Sequence, residues 1–145
     1  MKVPLTELPS LVEGVLQSLD SARDKSHAVL IALRGDLGAG KTTFVQRLAQ
    51  ELGITETVAS PTYVLMKKYK TTNPKFQTLV HIDAYRLEDP KEFAALRPEG
   101  FLGDPGCVVV VEWPEKLGRT LPAPDLTLNF SSQDAGEGER YIEMV

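Results

Sequence analysis

The stretch HAVLIALRGDLGAGKTTFVQRLAQELG, residues 27–53, decides how the rest of the chain is read. It opens on a near-continuous apolar run, HAVLIALR, typical of a strand buried on both faces of a sheet. The glycine-rich loop GDLGAGKTT (Gly35–Thr43) follows. TTFVQRLAQELG then carries helical periodicity, with Gly53 placed to close the helix. Gly35, Gly40, Lys41 and Thr42 satisfy the pattern G-x-x-x-x-G-K-[ST], and the strand before and the helix after supply the context that gives the pattern meaning. Glycines let consecutive backbone N–H groups turn inward around an anion. The start of the helix adds the positive end of its dipole. Gly38, Ala39, Gly40, Lys41, Thr42 and Thr43 are therefore expected to hold nucleotide phosphates. Lys41 would reach the β- and γ-phosphates, and the Thr42 hydroxyl would ligate Mg²⁺.

The flanking sequence builds layers around this unit. Residues 7–19 place Leu8, Leu11, Val12, Val15, Leu16 and Leu19 at helical spacing. YVLMKKYK and FQTLVHIDAYRL read as strands, with TTNPK as the turn of a hairpin. DPKEFAALRPEGFL reads as helical in at least its first half, with Asp89 as cap and Pro90 in the first turn. CVVVVEW is a second buried strand, PEKLGRTLP a short helix or turn, and DLTLNF with ERYIEMV a final antiparallel pair. This order predicts one domain over residues 1–145, an α/β P-loop NTPase-like three-layer fold with a mixed, mainly parallel central sheet.

A magnesium ion needs an acid across the site, and in parallel sheets ligands collect at the carboxyl ends of strands. Asp83 ends TLVHID and Glu112 ends VVVVE, so both are candidates. Asp83 is the better metal acid. Glu112 has two roles open to it, sharing the metal shell or orienting an attacking water. Thr62, in ASPT, sits where a loop that senses the γ-phosphate is often found; the plainer reading is a turn stiffened by Pro61. His81 shares a strand face with Asp83 and so has two readings, a contact to the site and, as the favoured one, a hydrogen-bonded structural histidine. Trp113 either packs in the core or closes over the nucleotide.

Composition narrows the class. A net charge of −4 in 145 residues gives no global basic surface for independent nucleic-acid binding. Cys107 is the only cysteine and precedes VVVV, which reads as a buried thiol in a reducing compartment. The longest apolar run, Cys107–Val111, is far too short to span a membrane, and MKVPLTELPSLVEG does not resemble a signal peptide. A cytoplasmic location is the expectation.

The chain has no Asn-Lys-x-Asp run of the kind that selects guanine, which favours ATP. Only 33 residues follow Glu112, with Arg119 and Arg140 among them, which is thin for a kinase lid. Arg86 is the nearest candidate for an internal arginine finger, and an ion pair is its favoured role. A phosphate loop with metal acids and no clear finger predicts slow hydrolysis alone and stimulation by a partner. The rivals are a small-molecule kinase and a non-hydrolysing ATP-sensing switch module.

Four segments, GDLGAGKTT, SPTYVL, HIDAYRL and VVVEWPEKL, in this order and spacing, together resemble the TsaE (YjeE) family. The resemblance runs from the loop to Leu121. It implies an ATPase required for threonylcarbamoyladenosine (t6A) in tRNA, working with TsaB and TsaD and meeting tRNA only through that complex. It also implies that Lys41 and the loop amides bind ATP, that Thr42 and Glu112 bind Mg²⁺ with Asp83 close by, that Thr62 belongs to a switch-like loop, and that Trp113 lies near the nucleotide. Ser10 stands where the family has a threonine and keeps a hydroxyl for a nucleotide contact, with Pro9 altering the geometry of the helix start there. Arg140 stands where the family often has an arginine before the last strand.

Overall fold

The computed structural model describes residues 2–4, 7–22, 26–36, 40–59, 61, 64–131 and 139–144, with backbone alone for 2–4, 22 and 139–141. The unit read from residues 27–53 forms its centre. Strand β2 (Val29–Arg34) is buried from Val29 to Leu33. Helix α2 (Lys41–Glu51) starts directly after Gly40, whose φ of 106° is a conformation that favours glycine. Gly53, at φ 79°, turns the chain away from α2, with its N–H donating to the Gln50 carbonyl and that of Ile54 to Ala49.

The remaining strands are β1 (Lys2–Pro4), β3 (Met66–Lys70), β4 (Thr78–Asp83), β5 (Cys107–Glu112), β6 (Leu126–Ser131) and β7 (Glu139–Met144). They form one seven-stranded sheet in the order β1-β7-β6-β2-β5-β4-β3. The four central strands, β6, β2, β5 and β4, run parallel. The joins outside them are antiparallel: the β3–β4 hairpin at one edge, and β6–β7 with β1 at the other. The hairpin turn is built by Asn73, whose Oδ1 accepts the amides of Lys75 (2.8 Å) and Phe76 (3.2 Å). β1 is an addition to the elements read from sequence.

Strand alternation splits the core. Val29, Ile31, Leu33, Leu79, Val108, Val110 and Leu128 face helix α1 (Leu8–Ala22) and α2. Leu30, Val80, Ile82, Val109 and Val111 face the opposite layer. That layer holds two single-turn helices, α3 (Lys91–Ala94) and α4 (Glu99–Leu102), whose Phe93 and Phe101 meet edge-on at 6.5 Å. The segment read as helical in at least its first half holds two short helices, because Arg97 adopts φ 52° ahead of Pro98, and a residue before proline is disfavoured in the α region. Asp89 accepts the Lys91 amide on its side chain (3.0 Å) and the Glu92 amide on its carbonyl (2.9 Å), which starts α3. The result is a three-layer α/β fold with a mixed sheet whose central strands are parallel.

Candidate functional site

Parallel register brings the two acids together. β4 and β5 align so that Asp83 lies opposite Glu112, and β5 and β2 align so that Glu112 lies opposite Leu33, two residues before the phosphate loop begins. On the face toward α2, β4 reads Leu79, His81, Asp83 and β5 reads Val108, Val110, Glu112. The apolar floor under α2 therefore turns polar at the carboxyl ends of the strands, where the first residue of α2 is Lys41.

Among the described residues the buried polar or charged side chains are Lys41 (4% exposed), His81 (0%), Asp83 (4%) and Glu112 (3%). All four belong to this one end of the sheet. Charged side chains are rarely buried so completely unless paired, since burying an ion is costly. The Lys41 ammonium donates to the Gly35 carbonyl and lies 3.8 Å from the centroid of the Trp113 ring. Burial pulls the Lys41 pKa below its ordinary value, while Glu112, Asp83, Glu115 and Asp36 draw it back up. Glu112 Oε2 lies 2.6 Å from His81 Nε2. Asp83 Oδ1 accepts the Tyr85 amide at 3.0 Å.

Trp113 holds a φ of 59°, a left-handed backbone unusual for a large side chain. It is half-buried, packs against the core on the α3–α4 side, and meets the Tyr85 ring at 5.2 Å. One side of Trp113 thus belongs to the core, and its ring face carries the lysine. Thr42 and Thr43 are half-buried in the first turn of α2. Ser10 is exposed near the start of α1 and lines a groove with Gly14, Asp125 and Met144, which leads toward the amino end of β6. Arg86 is exposed. Gly38, Ala39, Thr62 and the Arg140 side chain lie outside the described residues.

Pro61 and Leu65, on either side of Thr62, are joined to the site. Pro61 is buried, and its carbonyl accepts the amides of Val64 (3.1 Å) and Leu65 (2.8 Å). The Leu65 carbonyl in turn accepts the amide of Asp83 at 2.9 Å, so the loop ends on the backbone of the metal-acid candidate. Two contacts escaped sequence reasoning. His81 reaches Glu112 on the next strand, and Tyr85 supports Trp113. The shared face of His81 and Asp83 was a signal for the first; HIDAYRL contains Tyr85 but nothing in its spacing points at Trp113.

Among the described residues no helix is long and apolar enough to cross a membrane. A family model described as threonylcarbamoyl adenosine biosynthesis protein TsaE matches residues 9–142. The tRNA threonylcarbamoyladenosine biosynthesis protein TsaE of Bacillus subtilis (strain 168) is 42% identical over 113 residues, which is 78% of this chain and 66% of that protein. Its counterpart in Haemophilus influenzae is 38% identical over 120 residues, 81% of this chain and 70% of that one. The matches thus span about two thirds of these curated relatives. The crystal structure of Bacillus subtilis YdiB superposes with a TM-score of 0.63 at 30% identity, covering 98% of this chain and 82% of that one. With the family model matched over nearly the whole length and the fold shared, the chain belongs to the TsaE family.

Proposed function

We propose that this chain is a Mg²⁺-dependent ATPase that serves t6A formation on tRNA in a complex with TsaB and TsaD. The observation that carries the proposal is the co-burial of one lysine and two carboxylates at the carboxyl ends of β4 and β5, against the start of α2. Such a set binds and polarises a phosphate chain; it adds nothing to a hydrophobic core. The donors fit a hard cation: two carboxylates and the Thr42 hydroxyl are all oxygen, as Mg²⁺ prefers when it shares its shell with phosphates and water. The metal, when bound, would neutralise charge on the phosphate oxygens.

The protein's own groups divide the work. Lys41 rests on a carbonyl and a ring face, both neutral partners, and turns to the phosphates when nucleotide arrives. The first amides of α2 receive the phosphate oxygens. Glu112 would offer its second carboxylate oxygen to a water, and Asp83 would hold the metal side. The Thr62 loop, tied to the Asp83 amide through Leu65, can pass the state of the γ-phosphate to the acid and to a partner's surface. TsaD would carry out the transfer to tRNA, and this chain would act on tRNA only through the complex, in the cytoplasm.

Phosphate release from Mg-ATP, measured with the chain alone and then with TsaB and TsaD, tests this. Slow release alone and marked stimulation by the partners is the expected result. A phosphorylated metabolite in place of free phosphate would make the protein a kinase. ATP bound but unchanged under all conditions would make it a sensor.

A further inference from the structure

We propose that His81 is a positioning residue that holds the Glu112 carboxylate in one orientation, so that Glu112 presents a single oxygen to the reaction. This deepens the ATPase reading and rests on it. His81 lies two residues before Asp83 on β4, and Asp83 is the register partner of Glu112 on β5. The imidazole therefore sits one pleat below the acids on the same face, and reaches diagonally across to Glu112. Nε2 meets Oε2 at 2.6 Å with both side chains out of solvent. Facing a carboxylate, Nε2 carries the hydrogen and Oε2 accepts it. Rotation of the carboxylate would break this contact, so Oε1 alone is left for a water or a metal.

The second nitrogen makes the case that this contact is kept for function. His81 Nδ1 is fully buried and has no hydrogen-bond partner among the described residues. Its neighbours on the face, Leu79 and Val110, are apolar and leave nothing unpaired. A side chain present for packing alone would be of that kind, because an unsatisfied buried polar atom destabilises the fold. The orphaned atom is tolerated beside a nitrogen that orients a carboxylate, as outer partners of metal-site ligands commonly do.

The test compares wild type, His81→Leu and His81→Gln, each alone and combined with Glu112→Gln, in ATP turnover with TsaB and TsaD present. Outer partners of this kind are worth about 10- to 100-fold, so His81→Leu should lower kcat by that factor and leave KM for ATP within about twofold. His81→Gln keeps an N–H near the Nε2 position and should recover most of the loss. In the Glu112→Gln background His81→Leu should add nothing. The chain has only two histidines, His27 and His81, so ¹⁵N-histidine NMR of the nucleotide-free protein reads the ring directly. It should show hydrogen on Nε2 of His81 and a change in that signal in Glu112→Gln.

Wild-type kcat in folded His81→Leu, losses that multiply with Glu112→Gln, or a ring protonated only on Nδ1 would each overturn the proposal. If wild type itself turns over no ATP, the ATPase reading fails, while the NMR measurement still decides whether His81 holds Glu112. If His81→Leu does not fold, His81→Gln and the wild-type spectrum carry the decision.

Discussion

Two glycine-to-alanine substitutions in this chain should change stability in opposite directions. Gly35 opens the phosphate loop at φ 144°, and a Cβ built there would lie 2.5 Å from the Phe130 carbonyl oxygen and 3.1 Å from the Phe130 Cβ. The oxygen is backbone, in β6, beside the Arg34–Asn129 register pair that joins β2 to β6. It cannot swing aside as a side chain can. Asp125 strengthens this join, accepting the Leu30 amide on Oδ2 (2.7 Å) and donating its own amide to the Leu30 carbonyl (2.8 Å). Forcing a non-glycine residue into an unfavourable backbone region costs about 1–3 kcal/mol. Overpacking against a fixed neighbour costs about 1–3 kcal/mol more. Gly35→Ala should therefore destabilise by about 2–6 kcal/mol, a large share of the roughly 5–15 kcal/mol that holds a domain folded. Gly14 is exposed inside α1, and a Cβ there meets nothing within 4 Å. Gly14→Ala should stabilise by roughly 0.5–1 kcal/mol, because alanine loses less backbone freedom in a helix. Urea unfolding followed by Trp113 fluorescence measures both, with similar m values expected. The Gly35 carbonyl is also the resting acceptor of Lys41, so ATP affinity should fall in Gly35→Ala and hold in Gly14→Ala. A Gly35→Ala protein within about 0.5 kcal/mol of wild type, the ordinary range for neutral surface changes, and with unchanged ATP affinity would refute the account of the β2–β6 contact.

Three further outcomes are expected. Glu112→Gln should leave ADP affinity within a few-fold of wild type while lowering ATP turnover by about 10²–10⁴-fold, the range for loss of a positioned acid or base, as read by calorimetry and phosphate release. Lys41→Met should be more stable than wild type near neutral pH, because the burial that depresses the Lys41 pKa penalises the charged form in the folded state only. Between its folded and unfolded pKa values the unfolded chain binds more protons, so wild-type stability rises with pH there and the advantage of Lys41→Met should shrink on approach to 10.5; a pH-independent difference in urea unfolding would contradict this. Cys107 is buried, and desolvation with Asp104 nearby pushes its thiol up to about 11, so iodoacetamide at mild pH should label it at the rate of global unfolding; fast labelling of the native protein would show that β5 opens locally.

The parts legible in the sequence are those whose physics is local. The apolar run of β2, the glycine loop and the periodic α2 each announce themselves within a few residues, and so do the four valines of β5 and the Asn-Pro turn of the hairpin. Strand ends gave Asp83 and Glu112 as a pair because parallel strands that start level also end level. What escaped depends on contacts distant in the chain. β1 is three residues long, too short for any periodicity, and exists through its pairing with β7 some 135 residues later. The two turns α3 and α4 are separated by the backbone of Arg97, while Phe93 and Phe101 beneath them serve one core. The His81–Glu112 contact needs β4 and β5 to be neighbours in a known register, which alternation along one strand cannot supply.

Under the proposed ATPase function, the same register accounts for how an acidic protein would receive an acidic ligand. Apart from His81, the buried groups at the strand ends are one lysine against two carboxylates, a net of −1. A triphosphate entering such a site meets attraction from Lys41 and the start of α2, and repulsion from Asp83 and Glu112 at low effective dielectric. The carboxylates oppose the nucleotide alone and favour it with a divalent cation, so charge itself couples the two ligands. The hydrogen bond from His81 moderates the cost of keeping Glu112 buried, and the ring of Trp113 does the same for Lys41. Hydrolysis, as proposed, would split the charge that this balance accepts. In the proposed ATPase, Leu65, which accepts the Asp83 amide and donates to the Pro61 carbonyl, would link that change to the chain around Thr62.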